Sequence, residues 1–389
     1  MSYATRTSHL KPEGAYQVLA RANQLEAEGR EIIHLEIGQP DYATFENVSE
    51  AGIKAIRAGH TRYTPPAGMP SLREAIAEDS GRRRGISIQP DEVVVSPGGK
   101  PNLFFPTLAL VEPGDEVIYP DPGFPTYEAM IELAGGILKA VPLLEESNFS
   151  FDLDAFDRLV NKRTKLIILN SPSNPTGGVI PHTDLEHIAQ KAKEFNCWVM
   201  SDEIYARLAY DGLKVSSIAS LPGMKQRTII VDGFSKTYSM TGWRLGYGIM
   251  PRELAARVDL LLTHSVGSTA HFTQFAGLEA ITGPQDKVDS MVAEYERRRD
   301  VIVQGLNQIS GFICQKPQGA FYAFPNIKGT GMKSGELANL LLEKAGVALL
   351  PGSSFGEYGE GYLCLSYANS IENIRKGIQQ IKAVLGGQK

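Results

Sequence analysis

The segment Asp232-Gly-Phe-Ser-Lys236-Thr-Tyr-Ser-Met-Thr-Gly-Trp-Arg244-Leu-Gly-Tyr247 sets one lysine on a Gly/Ser-rich turn. Apolar runs flank that turn, Ile229-Ile-Val231 before it and Tyr247-Gly-Ile249 at its end. A lysine so placed can form an imine with a carbonyl cofactor, and Arg244 can clamp a phosphate on the same molecule. Taken alone, Ser-Lys reads better as a solvated surface lysine, which is the fate of most lysines. Its meaning depends on its neighbours.

Outward from that turn, from about residue 90, short β-branched runs alternate with longer amphipathic stretches. Val93 to Val95 precedes a glycine turn and a helical pattern over Lys100 to Val111. Glu116 to Tyr119 follows Pro113-Gly-Asp115, Leu166 to Leu169 ends in Asn170-Ser-Pro-Ser-Asn174-Pro-Thr-Gly177, and Trp198 to Met200 runs into Ser201-Asp-Glu203. Runs that are apolar on both faces and separated by helical patterns imply an α/β chain with a mostly parallel, helix-covered sheet. Ligands in such sheets bind beyond the carboxyl ends of the strands, where the polar insertions fall here. Residues 285–308 read as a helix leading to a smaller C-terminal α+β unit, with strands expected in Ala320 to Phe324 and Tyr362 to Tyr367. The expected organisation is an N-terminal segment, 1–48, joined to the small domain, a large domain over 49–285 and the small domain over 286–389.

Composition narrows the function classes. The chain has 389 residues, 42% apolar and 21% charged, with a net charge of −5, which is ordinary for a globular protein of two domains. Its compact basic run, Arg82-Arg-Arg84, reads as a solvated helix end, so nucleic acid is not an expected partner. The N-terminal residues lack the apolar core of a signal peptide, and no run approaches the ~20 apolar residues of a membrane span. The three cysteines, Cys197, Cys314 and Cys364, are scattered. Neither they nor the histidines show metal-ligand spacing, so no metal is expected and a reducing cytoplasm fits.

Several strand-end loops carry groups that a phosphorylated aromatic aldehyde needs. Ser96-Pro-Gly-Gly99-Lys100 is a glycine turn opening a helix, suited to an anion but also an ordinary turn. Asp202 ends an apolar strand, where a charge requires a partner; a protonated pyridine nitrogen is one, and capping of a following helix is the alternative. Tyr205 and Asn174 can reach a ring phenolate, and Phe124 can stack on a ring, although each also has a plain packing or turn role. Together they describe a pyridoxal phosphate site.

In these residues the chain resembles the fold-type I pyridoxal phosphate enzymes, specifically the class I/II aminotransferases of the aspartate aminotransferase-like subgroup. The motifs run in family order: Gly38-Gln-Pro-Asp41, Tyr63-Thr-Pro-Pro-Ala-Gly-Met-Pro-Ser-Leu-Arg73, Gly98-Gly-Lys100, Asn174-Pro-Thr-Gly177, Ser201-Asp-Glu-Ile-Tyr205 and Ser235-Lys236 through Gly246. The resemblance implies that Lys236 is the Schiff-base lysine and proton shuttle, that Asp202 pairs with the pyridine nitrogen, and that Tyr205 and Asn174 contact the ring oxygen. It implies that Phe124 stacks on the ring, that Gly99, Lys100, Ser235 and Arg244 surround the phosphate, and that Gly38 and Asn174 lie by the substrate carboxylate. Tyr63 would reach the phosphate of a neighbouring subunit, implying a homodimer with shared sites. Glu13 and Tyr16 would lie near the substrate side chain, where Glu13 can favour a cationic group or simply start a helix.

Three departures from the family's pattern stand out. Cys364, in Gly361-Tyr-Leu-Cys-Leu-Ser-Tyr-Ala-Asn369, occupies the slot of a carboxylate-binding arginine, and a thiol cannot replace a planar two-pronged cation. Gln39 replaces a commoner glutamate, and Gly233 stands where a phosphate-binding serine is frequent. With Cys364 in that slot, three readings remain: an aminotransferase acting on an amino acid and a 2-oxo acid, a lyase or cyclase, or a non-catalytic ligand sensor. Intact Lys236 and Asp202 argue against the last.

Overall fold

The computed structural model describes residues 3–8, 10 and 12–386. The first strand, β1 (Ile33–His34), has its partner near the other end of the chain. The next eight, β2 (Val93–Ser96), β3 (Glu116–Asp121), β4 (Ile137–Leu144), β5 (Ser150–Phe151), β6 (Thr164–Asn170), β7 (Trp198–Asp202), β8 (Thr228–Gly233) and β9 (Gly246–Ile249), form one sheet in the order 2-9-8-7-6-3-4-5. Strands β8, β7, β6, β3 and β4 run parallel; β9 is antiparallel to β8, β2 beyond it is antiparallel to β9 and so runs with the parallel set, and antiparallel β5 lies at the other edge. The expected mostly parallel sheet is present.

Side chains alternate across a strand, so these strands need cover on both faces. In β6, Leu166 and Ile168 enter one apolar cluster with Leu103, Tyr127, Val258 and Leu262 from helices, while Ile167 and Leu169 enter another. All four strand residues are buried. The parallel strands thus end together on one side of a sandwiched sheet, and Asn170, Asp202 and Val231 stand level on β6, β7 and β8.

A 21-residue helix, Asp286–Leu306, leads to the C-terminal part. There β10 (Tyr322–Ala323), β11 (Val347–Ala348), β12 (Leu350–Pro351) and β13 (Leu363–Ser366) are short. They fall within the two stretches expected as strands and between them. β13 lies between β10 and β12, and β11 pairs in parallel with β1. The N-terminal segment is thereby tied to the C-terminal strands, and Ser366 N–H donates to Leu35 O at 2.7 Å.

Candidate active site

The site is assembled at the carboxyl ends of β6, β7 and β8. Asp202, the last residue of β7, is buried, and its Oδ2 accepts from the Tyr127 hydroxyl at 2.8 Å while Oδ1 accepts from Ile204 N–H at 3.3 Å. Burial raises its pKa to about 6, with Asp232 and Glu203 adding to the shift and the two donors opposing it. No helix follows directly, so Asp202 does not serve as the helix cap considered above.

Lys236 lies three residues beyond β8. Its Nζ donates to the Gly38 carbonyl at 2.5 Å and stands 5.8 Å from the Tyr205 ring centroid and 5.6 Å from that of Phe321. Burial lowers its pKa to about 8, Arg244 and Lys100 push in the same direction, and Asp202 pulls the other way. Among the described residues Lys236 makes no salt bridge, so its amine is available.

Tyr205 is buried, and its hydroxyl lies 2.7 Å from that of Tyr322. Burial lifts the phenol well above its ordinary pKa, so it stays protonated as a donor. The Tyr322 hydroxyl also fills the space above Gly38, where a Cβ would come within 2.0 Å of it. A glycine is therefore required at position 38. The Asn174 N–H donates to Asn170 Oδ1 at 2.7 Å, while its own side-chain Oδ1 is buried without a partner.

The glycine turn opens the helix Lys100–Leu110 with Gly99 at its N-cap. It rests on Gly246, where a Cβ would lie 2.5 Å from Gly98 C and Gly99 N; Gly233, paired with Gly246, is tightly packed, since its Cβ would be 3.0 Å from Gly246 Cα. Arg244 is exposed and donates from Nη1 to Thr241 O at 2.9 Å; its Nη2 reaches the turn, 2.1 Å from where a Gly98 Cβ would sit. Ser235 is buried beside Lys236.

Other expected residues are placed less centrally. Lys100 pairs with Glu13 and stands 5.3 Å from the Phe124 ring centroid. Glu13 is the N-cap residue of the helix Gly14–Ala27, and its carboxylate pairs with Lys100. Tyr16 is 65% and Tyr63 96% exposed. Cys364 is buried in β13 opposite Leu350, and burial pushes its thiol far up, leaving it uncharged.

Sequence reasoning missed Tyr127 and Tyr322, because a tyrosine in an apolar helix or strand carries no motif. It also misread the arginine run. Arg82 is exposed, but the side chain of Arg84 is 4% and that of Arg83 23% exposed, both held by buried carboxylates. Among the described residues no cluster of His, Cys, Asp or Glu is placed to hold a metal, and no helix is long and apolar enough to cross a membrane.

An available amine, a buried carboxylate, an unpartnered amide oxygen and a glycine turn with an arginine beside it fit pyridoxal phosphate. A family model for aminotransferase class I and II matches residues 30–381. A probable aspartate/prephenate aminotransferase of Aquifex aeolicus is 42% identical, covering 98% of each chain. Aromatic-amino-acid aminotransferase 2 of Thermococcus litoralis is 36% identical over the full length of both. The solved aspartate aminotransferase of Thermus thermophilus with maleate superimposes with a TM-score of 0.94 at 37% identity, covering 99% of this chain and all of the other.

Proposed function

The chain belongs to the class I and II aminotransferases, and from that premise we propose that Lys236 anchors the cofactor and carries the proton. Asp202, Tyr205, Asn174 and Phe124 would hold the cofactor ring, and Gly99, Lys100, Ser235 and Arg244 its phosphate. The reaction is pyridoxal phosphate-dependent amino transfer between an amino acid and a 2-oxo acid. The named relatives are aminotransferases, which does not favour the lyase or cyclase reading.

Pyridoxal phosphate supplies an aldehyde that takes up the amino group and a ring that accepts the electron pair left at Cα. The protein's share is placement and proton traffic. A pKa near 8 leaves part of Lys236 neutral at physiological pH, so Nζ can take a proton and return it. The Gly38 carbonyl orients that amine. Asp202, ionised above about pH 6 and held by the Tyr127 hydroxyl, would supply the anion for the cofactor's ring nitrogen. Gly38, Asn174 and Tyr322 would meet the substrate carboxylate with neutral polar groups.

One arrangement carries this reading: buried Asp202 closes β7 and part-buried Lys236 follows the adjacent parallel strand β8, its Nζ on the Gly38 carbonyl, with the carboxyl pushed up and the amine down. Single-turnover spectroscopy with aspartate, alanine and aromatic amino acids tests it. The expected result is an aminated cofactor and a 2-oxo acid from at least one member, together with loss of the wild-type lysine-linked cofactor band in Lys236→Ala. A wild-type band in that variant overturns the lysine assignment.

We further propose a homodimer with shared sites, supported by exposed Tyr63, Leu260 and Val266. Sedimentation and mixed dimers of Tyr63→Ala with Lys236→Ala test it, because only shared sites change activity on mixing. The division at about residues 48 and 285 is supported by the β1–β11 pairing, and a cytoplasmic setting by three buried free cysteines.

A further inference from the structure

Beside the strand ends that carry Asp202 and lead to Lys236 lies a cluster of buried charge with no direct part in the proton transfers above. It begins at the end of the helix Pro70–Arg84. Arg84 donates from Nε to Glu203 Oε2 at 2.7 Å and from Nη2 to Asp232 Oδ2 at 2.9 Å. Arg83 donates from Nη2 to the same Asp232 oxygen at 3.3 Å and to the Tyr247 hydroxyl at 3.2 Å, and from Nε to Asp79 at 2.8 Å. The remaining carboxylate oxygens are also occupied. Glu203 Oε1 accepts from the Ser201 and Ser217 hydroxyls at 2.9 and 2.6 Å, and Asp232 Oδ1 accepts from Gly233 N–H at 2.7 Å.

Position gives this cluster its meaning. Glu203 directly follows Asp202, and Asp232 lies in β8, opening the turn to Lys236. One guanidinium therefore ties the two strand ends across the sheet. We propose that Arg84, supported by Arg83, is a positioning residue for amino transfer: it locks the ends of β7 and β8 together and screens Asp202 from the two carboxylates that flank it.

The groups facing Asp202 show why screening matters. Tyr127 donates to it from the helix Thr126–Ala134, Tyr205 and Glu203 lie on its own segment, Asp232 on β8 and Lys236 beyond. Glu203 and Asp232 both disfavour its charge. Burial acts against the Arg84 cation, but Glu203 and Asp232 hold it protonated; burial likewise acts against the Asp232 anion, and Arg83 and Arg84 more than cancel that. A guanidinium stays charged throughout the working pH range, so the screen does not titrate away.

The inference rests on Asp202 as the partner of the cofactor ring, and the test separates the two claims. Binding of pyridoxal phosphate to apoprotein is followed by quenching of Trp198 and Trp243 fluorescence through the acid and neutral range. Wild-type affinity should fall as the pH drops through the Asp202 transition, near 6 in the apoprotein. In Arg84→Met the midpoint should rise by about one unit, and in Glu203→Gln, which removes a flanking charge, it should move down. Arg84→Lys should lie between wild type and Arg84→Met, since lysine keeps the charge without the fork. Simple unfolding cannot produce shifts of opposite sign, and Glu203→Gln remains readable if Arg84→Met does not fold. Unmoved midpoints, or movement of both in one direction, overturn the proposal. A wild-type transition retained in Asp202→Asn would instead overturn the assignment of Asp202.

Discussion

The ends of β7 and β8 and the strands β10 and β13 meet at the same site, yet they bring different chemistry. The sheet side supplies ions: Asp202 and Lys236, with Glu203, Asp232 and two buried arginines next to them. The C-terminal side supplies neutral groups, the Tyr322 hydroxyl and the uncharged Cys364 thiol. Charge in a poorly solvated place is worth most where charge develops during reaction. Neutral polar groups discriminate more gently, by hydrogen bonds of about 0.5–1.5 kcal/mol each. The sheet side should therefore govern rate, and the C-terminal side choice of substrate.

The harshest test of that division is Lys236→Ala. If Lys236 is the covalent anchor and proton carrier proposed above, its loss should lower kcat by roughly 10⁴-fold or more. The same group gives a titration test in apoprotein: pH-dependent reductive methylation should place the Lys236 amine near 8, and a midpoint near the ordinary lysine value of 10.5 would deny its perturbation. The sign also reaches stability. A lysine whose folded pKa is depressed contributes full stability above its unfolded pKa and loses it as the pH falls towards 8. Apo Lys236→Met should thus lose part of the rise in stability that the wild type shows between about 8 and 10.5.

Asp202→Asn comes next. It keeps shape but removes the anion, and kcat should drop about 10²-fold. Burial raises the folded pKa of Asp202 above that of an exposed carboxylate, so its stabilising contribution is full below about 3.8 and lost as pH rises through about 6. At neutral pH the apoprotein therefore holds a destabilising anion, and apo Asp202→Asn should melt a few degrees higher than wild type. A lower melting temperature would mean that the Tyr127 bond outweighs desolvation.

How these two sides read from sequence differs for the same physical reason. Polar groups at strand ends sit in short contiguous motifs, so Asp202, Lys236 and Asn174 stand out in the sequence as candidates, and the parallel sheet was legible because its doubly buried runs leave a plain apolar signal. The C-terminal side was not legible, because Tyr322 acts through contacts with Gly38 and Tyr205, far away in the chain. The arginine run was misread because burial of a cation depends on Glu203 and Asp232, more than a hundred residues distant. A helix end full of arginines looks the same in sequence whether it faces water or carboxylates.

On the C-terminal side the larger effect belongs to Tyr322→Phe. Removing its hydroxyl takes away one neutral hydrogen bond and frees that of Tyr205, so KM for the amino acid should rise up to about tenfold with kcat changed less. A fall in kcat with unchanged KM would move Tyr322 from recognition to the chemical step.

The smallest expected effect is at Cys364. Its thiol is buried on a strand whose backbone pairs with Leu350, and its pKa is raised far enough that no thiolate forms near neutrality. If β13 acts here mainly as a wall, Cys364→Ala should cost about 1 kcal/mol of stability through a small cavity and change kcat/KM less than about twofold. Replacing it by arginine asks the opposite question. A cation placed on the neutral side would attract a substrate carboxylate, so amino-acid KM should fall if the side chain is accommodated, and thermal melting shows whether it is. A Cys364→Ala variant that lost tenfold or more in kcat/KM while melting normally would show that the sulfur itself takes part in recognition, and the division between an ionic and a neutral side would no longer hold.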